Sequence, residues 1–162
     1  MKRSMRLILD TNEYVFGFDV SSTQDAPVDL LDKIETLLHE VEDFSLFIPD
    51  IIRDEVQRNM PFHLIGDFYR FITSDPRIVQ FPVVETPISY FQHYHLKLGL
   101  KEADATIAAF AEWKTIDFLV SENRHFLSLN ADQFVVCNAA RFVQLLESGE
   151  VWEIIHQTRD RR

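Results

Sequence analysis

The sequence predicts an α/β protein with a mostly parallel, five-stranded sheet and helices on both of its faces. Short apolar runs alternate along the chain with longer segments whose apolar residues recur at helical spacing. Such alternation is typical of parallel sheets, because each parallel connection has to cross a face of the sheet. The 162 residues are 46% hydrophobic and include only four glycines, so the chain can bury a sizeable core.

The strands are predicted from five short apolar segments. The first ends at Asp10, and the third is expected at the periphery because Pro82 has no N–H group to donate to a neighbouring strand. In chain order the predicted strands are RLIL, FSLFIP, RIVQFPV, DFLVS and QFVVC.

The helices are predicted from six longer segments. We expect Asp50 to cap the second of them, Pro61 to begin the third and Gly149 to end the last. SSTQDAP predicts a loop and ENRHFLSL a short turn or helix. The predicted helices are VDLLDKIETLLHEVE, DIIRDEVQRNM, PFHLIGDFYRFITS, TPISYFQHYHLKLG, KEADATIAAFAEWK and NAARFVQLLESGE.

Domain organisation and compartment follow from length and composition. We expect a single domain over residues 1–155 and a frayed, basic C-terminal tail over residues 156–162. The single cysteine, Cys137, excludes a disulfide within the chain and is compatible with a reducing compartment, so we expect a cytoplasmic protein. No apolar run approaches the length of a membrane span or a signal peptide.

The net charge of −10 argues against a broad basic face for nucleic acid. It leaves room for local contacts with nucleic acid, because acidic residues gathered around a metal ion count toward the total and are neutralised by the ion.

Acidic side chains follow several of the predicted strands. Parallel sheets bind ligands at the carboxyl ends of their strands. Asp10 lies at such an end, Glu55 lies one turn into the helix after the second strand, and Glu122 and Asn123 come just after the fourth. Asp117 opens the fourth strand at its amino end and is therefore excluded.

Asp104 is predicted to lie on an apolar helix face. Ile107, Ala108 and Ala111 follow it at i+3, i+4 and i+7. A carboxylate on a packing face is costly unless a cation compensates it, although Asp104 could also serve only the helix dipole. Oxygen ligands of this kind suit Mg²⁺ or Mn²⁺, which activates water and stabilises charge on a phosphate. The absence of a glycine-rich phosphate loop favours phosphodiester hydrolysis over nucleotide binding.

The chain resembles the PIN-domain ribonucleases, which include the toxins of toxin–antitoxin pairs. The resemblance covers roughly residues 5 to 130 and rests on LILDTN, IPDIIRDEV, EADATIAAFA and LVSENRHF. It implies a three-layer αβα sandwich whose acidic cluster binds Mg²⁺ or Mn²⁺ and cleaves RNA. It also implies a homodimer and an antitoxin protein as partner.

The resemblance assigns roles to individual residues. Asp10, Glu55 and Asp104 match the three most characteristic acidic positions, and Asn12 matches a small polar residue that lines the site. Asn123 departs from the pattern, because family members commonly carry Asp there. It could offer its carbonyl oxygen, or Glu122 could substitute for it as a metal ligand. The candidate catalytic residues are Asp10, Glu55, Asp104 and Asn123; the candidate metal ligands add Glu122; and the candidate substrate contacts are Asn12, Ser121, Arg124 and Arg53.

Several alternatives remain open from the sequence. Asp10 and Asn123 could be turn or capping residues, Ser121 could only orient carboxylates, and Glu55 could pair with Arg58 at the surface. The chain could be a catalytically weak PIN-like domain that binds RNA or a partner protein. It could also be a phosphatase with Asp10 as nucleophile, although such enzymes usually need a second Asp where this chain has Asn12.

Overall fold

A five-stranded sheet forms the centre of the computed structural model, which describes residues 2–21 and 25–162. Its strands lie in the order β3-β2-β1-β4-β5, and every neighbouring pair is parallel. The predicted α/β fold is confirmed, and β3 lies at an edge as Pro82 indicated. The strands are β1 (Ser4–Leu9), β2 (Asp43–Pro49), β3 (Ile78–Phe81), β4 (Phe118–Val120) and β5 (Val135–Cys137).

Helices flank the sheet and complete a three-layer αβα sandwich. A 3₁₀ turn (Val83–Glu85) follows β3, and a π-helical turn (His93–Lys97) splits the segment that the sequence predicted as one helix before Gly99. The described helices are α1 (Thr11–Gly17), α2 (Asp25–Glu40), α3 (Asp50–Asn59), α4 (Phe62–Ile72), α5 (Ile88–Gln92), α6 (Glu102–Trp113), α7 (Arg124–Leu127), α8 (Ala139–Ser148) and α9 (Glu150–Asp160). No helix of the described ranges is long and apolar enough to cross a membrane.

The core lies against the middle of the sheet. Met5, Leu7, Ile8 and Leu9 of β1 are completely buried, which is expected for a central strand covered on both faces. The apolar face predicted for α6 is likewise buried. Burial on this scale fixes the positions of the ends of β1 and β4. It also fixes the backbone of the residues that follow these strands.

The start of α3 corrects one prediction. Asp50 does not cap this helix, because Pro49 occupies the N-cap and Asp50 already lies in the first turn. Its carboxylate instead accepts a hydrogen bond from the Val83 backbone N–H at 3.0 Å, which ties α3 to the chain after β3. Two other terminal signals agree with prediction: Pro61 precedes α4, and Gly149 adopts a left-handed conformation (φ 80°) that ends α8.

The C-terminal segment corrects a second prediction. The expected frayed tail over residues 156–162 is wrong, because α9 continues to Asp160. Arg159 pairs with the buried carboxylate of Asp117 (Nη2–Oδ2 2.7 Å), and Arg162 donates to the backbone carbonyl of Ile116. These bonds hold the basic end of the chain against the amino end of β4. The predicted loop SSTQDAP is also shorter than expected, since α2 begins at Asp25; its residues 22–24 lie outside the described residues.

Candidate active site

An acidic cleft of about 270 Å³ opens at the carboxyl ends of β1 and β4. It contains Asp10 from the end of β1, Glu55 from α3 and Asp104 from α6, which are distant along the chain. The acidic cleft is lined by Asp10, Thr11, Asn12, Glu55, Ala103, Asp104, Ile107, Glu122 and Asn123.

Asp10 is held by hydrogen bonds to both of its carboxylate oxygens. Oδ1 accepts from the Thr11 backbone N–H at 2.8 Å, so the residue caps α1, and Oδ2 accepts from the Ser121 hydroxyl at 2.7 Å. Burial raises the pKa of Asp10 above its usual range; these two hydrogen bonds oppose the rise, and the charges of Glu55 and Asp104 add to it. Asp10 therefore both caps α1 and lines the acidic cleft.

Glu55 and Asp10 are linked by Thr11, which donates a hydrogen bond to each carboxylate. The Glu55 Oε2 accepts a hydrogen bond from the Thr11 hydroxyl at 3.0 Å, while the Thr11 N–H binds Asp10. A salt bridge with Arg58, the surface alternative for Glu55, does not form among the described residues. Thr11 thus orients two carboxylates of the cleft.

Asp104 and Asn123 face each other across the cleft. The Asn123 amide nitrogen lies 3.3 Å and 3.4 Å from the two carboxylate oxygens of Asp104. The Asn123 carbonyl oxygen accepts from the His125 backbone N–H at 3.0 Å and caps α7. In this structure the Asn123 amide donates to a carboxylate that an Asp at this position would repel. The expectation that the Asn123 carbonyl oxygen faces a metal ion stays a prediction.

Glu13 is a buried carboxyl group that sequence reasoning missed. Its side chain is fully buried, and neither carboxylate oxygen has a hydrogen-bond donor within the described part of the chain. Burial is the main cause that raises the pKa of Glu13 from 4.5 to about 9, and the negative charges of Glu122 and Asp10 add to the rise. At neutral pH Glu13 therefore carries a proton.

Glu122 lines the cleft, and its charge also acts on the buried Glu13. The Glu122 Oε2 accepts from the backbone N–H of Ala139 at the start of α8, at 3.1 Å. The sequence signal for Glu13 was its position three residues after Asp10 on the same helix turn, next to the apolar Tyr14, Val15 and Phe16.

The structure places three predicted substrate contacts outside the cleft wall. Ser121 is fully buried, so it orients Asp10 and cannot contact a substrate directly. Arg53 binds Asp54 and Gln80 instead of lining the cleft, because its side chain extends towards β3. Arg124 is exposed on α7 and does not line the cleft either. Asn12 remains, exposed at the cleft mouth.

The donor set of the cleft fits a hard divalent cation in its chemistry, because Asp10, Glu55 and Asp104 supply carboxylate oxygens. In residues 2–21 and 25–162, however, no three His, Cys, Asp or Glu side chains are arranged to hold a metal ion as they stand. Each carboxylate is held by its own donor: Ser121 on Asp10, Thr11 on Glu55 and Asn123 on Asp104. Joint binding of an ion therefore requires side-chain rotation.

Comparison with known proteins confirms the fold. No family model and no curated protein match the chain. Six chains of solved structures do match. One belongs to the crystal structure of VapBC2 from Rickettsia felis bound to a DNA fragment from its promoter; it is 17% identical, the alignment covers 83% of this chain and 98% of that one, and the TM-score is 0.57. At this identity the likeness concerns the α/β fold alone.

Proposed function

We propose that the protein is a metal-dependent ribonuclease of the PIN type, which hydrolyses RNA phosphodiester bonds in the acidic cleft. The observation that carries this proposal is the convergence of Asp10, Glu55 and Asp104 from three separate elements into one cleft. Crowded carboxylates are costly unless a cation compensates them. The pKa of Asp10 is raised mainly by burial, and the charges of Glu55 and Asp104 add to the rise.

Asp10, Glu55 and Asp104 would hold Mg²⁺ or Mn²⁺ in this proposal. An ion of this kind supplies an activated water and stabilises negative charge on the phosphate under attack. Thr11 and Ser121 orient the carboxylates through the hydrogen bonds described above, and Asn12 stands at the mouth of the cleft, where an RNA strand would pass.

We extend the proposal to the biological setting. The solved neighbour is VapBC2 in complex with promoter DNA, and the sequence resembles the ribonuclease toxins of toxin–antitoxin pairs. On this basis the protein is proposed to act on RNA in the cytoplasm as a homodimeric toxin, with an antitoxin protein as its partner.

Cleavage of a labelled RNA with Mn²⁺ or Mg²⁺ tests the enzyme proposal. We expect Asp104→Asn to reduce cleavage at least ~100-fold, because transition-state charge loses its electrostatic stabilisation. The matched control is Asp32→Asn, which removes the same charge from an exposed position on α2. Full activity in Asp104→Asn at low metal concentration would contradict the proposal.

A second candidate function is favoured by one observation. The Asn123 amide already donates to Asp104, so the cleft lacks a fourth carboxylate at this place. A weakly catalytic domain that binds RNA or a partner protein fits this arrangement. Calorimetry with Mn²⁺ separates the two: no binding at millimolar metal, together with RNA binding and no cleavage, favours the binding module.

A further inference from the structure

A second cavity, of about 180 Å³, lies at the amino end of the sheet, opposite the acidic cleft. We call it the basic pocket; its lining includes Lys2, Arg3, Ser4, Trp152, His156 and Arg159. Because β1 runs from Ser4 to Leu9 and Asp10 follows it, the length of this six-residue strand, about 20 Å, separates the two sites. The volume far exceeds the ~10–15 Å³ that one water molecule needs.

The basic pocket is built by the contact between α9 and the start of β1. Trp152, His156 and Arg159 recur at i, i+4 and i+7 and so share one face of α9. Arg159 donates to the backbone oxygen and the hydroxyl of Ser4 at 3.1 Å and 3.2 Å, while its ion pair with buried Asp117 fixes its position. Arg159 therefore lines the pocket, but its positive charge is neutralised by Asp117.

Lys2 and Arg3 supply the positive charge of the basic pocket. Residues 2–6 and 159–162 contain six of the 16 Lys and Arg and one of the 26 Asp and Glu. Asp117 pairs with Arg159 and Arg162 at this end, and Asp43 lies opposite Ser4 in the β1–β2 pair. Within the described residues, Lys2 and Arg3 form no salt bridge, and His156 lies 3.5 Å from Asp160. In a protein of net charge −10, Lys2 and Arg3 therefore give this pocket a local attraction for anions.

The guanidinium of Arg3 lies over an aromatic ring. The guanidinium carbon lies 5.2 Å from the ring centroid of Trp152, which is half-buried in the pocket wall. A cation–π contact of this kind restrains the arginine side chain before a ligand arrives. The planar guanidinium matches the geometry of a phosphate, and an indole offers a surface on which a base can stack.

We propose that the basic pocket binds the phosphate of a nucleotide, with Lys2 and Arg3 on the phosphate and Trp152 beside the base. The proposal depends on residues remote from the acidic cleft and stands independently of the proposed ribonuclease activity. A free nucleotide and a nucleotide within an RNA strand present the same chemistry, and the experiment distinguishes them.

The test measures the affinity of fluorescently labelled decauridylate by anisotropy, in the Asp104→Asn background and in EDTA, so that cleavage does not interfere. We expect Arg3→Gln to weaken binding about tenfold, the equivalent of one charge-assisted hydrogen bond, and to lower the salt slope by about 0.7. Arg161→Gln is the matched control, because it removes the same charge from an exposed residue at the same end that does not line the pocket. It should change the affinity less than about twofold.

A second measurement reports occupancy of the pocket directly. In a Trp113→Phe background, where Trp152 is the remaining tryptophan, nucleotide binding should change its emission. Displacement of decauridylate by UMP, with inorganic phosphate weaker, supports a free nucleotide as ligand, whereas failure of UMP to compete supports a strand. Equal weakening by Arg3→Gln and Arg161→Gln, unchanged Trp152 emission, or preferential displacement by oligoglutamate would overturn the proposal.

Discussion

Single side chains determine how the carboxylates of the acidic cleft are held. Each cleft carboxylate has its own hydrogen-bond donor, and the donor of Asp104 is an amide where resemblance to the PIN family suggested a carboxylate. The sequence predicted Asp10, Glu55 and Asp104 correctly as neighbours of one cleft, because strand ends and an acid on an apolar helix face are local patterns. It missed Glu13, because the segment after Asp10 was not predicted as a helix and the position of Glu13 beside apolar residues was therefore not recognised as a buried one.

Asn123→Asp tests the role of the amide. Aspartate keeps the oxygen that caps α7 but loses the N–H donor to Asp104 and adds a negative charge. We expect Mn²⁺ to bind about tenfold more tightly, since ion affinity rises with the number of carboxylates. Calorimetry measures the change, and Asn130→Asp, at an exposed position, controls for charge alone. Unchanged affinity would show that residue 123 lies outside the coordination sphere.

Glu13→Gln tests the buried acid. Since the pKa of Glu13 rises from 4.5 to about 9 on folding, the folded state holds a proton that the unfolded state releases between these values. The stability of the wild type should therefore fall as pH increases through this window, by up to ~1.4 kcal/mol for each pH unit. Glutamine does not titrate, so the variant should lose this dependence and be more stable than the wild type at pH 8.

Urea denaturation at pH 5 and pH 8 measures the effect. Glu40→Gln, at an exposed position on α2, should leave the pH dependence as it is in the wild type. A Glu13→Gln variant that loses stability equally at both pH values would mean that Glu13 does not carry a proton in the folded state.

The elements with strong apolar periodicity were predicted correctly from the sequence. Two helices that depend on long-range contacts were missed. All five strands and α6 were predicted from local patterns. The helix α1 was missed, because the residues after Asp10 resemble a turn until Tyr14 is packed into the core. The helix α9 was missed, because its basic end resembles a frayed tail until Asp117 binds Arg159.

Arg159→Ala tests how α9 is held. The carboxylate of Asp117 is completely buried and accepts from Arg159 at 2.9 Å and 2.7 Å. Without the Arg159 guanidinium it keeps the Arg6 backbone N–H at 2.8 Å and Arg162 at 3.6 Å, so its charge is less well compensated. We expect the free energy of unfolding to fall by about 2 kcal/mol. Arg161→Ala, at an exposed neighbour, should stay within ~0.5 kcal/mol of the wild type in the same urea titration. Equal effects of the two changes would contradict a specific role for the ion pair.

The two candidate sites lie at opposite ends of the sheet. The carboxyl ends of the strands carry the acidic cleft, the amino ends carry the basic pocket, and the buried strand β1 connects them. The net charge of −10 gave no indication of this division, because a sum over the sequence does not record which ends of the strands the charges occupy. The parallel topology supplies that information, since it places all strand ends of one kind at the same edge.

Diffraction from a crystal soaked in Mn²⁺ shows whether Asp10, Glu55 and Asp104 jointly bind a divalent ion. We expect an anomalous peak in the acidic cleft, with Glu55 and Asp104 released from Thr11 and Asn123 to reach the ion. A cleft without a peak at millimolar Mn²⁺, its carboxylates still bound to these donors, would rule out joint binding.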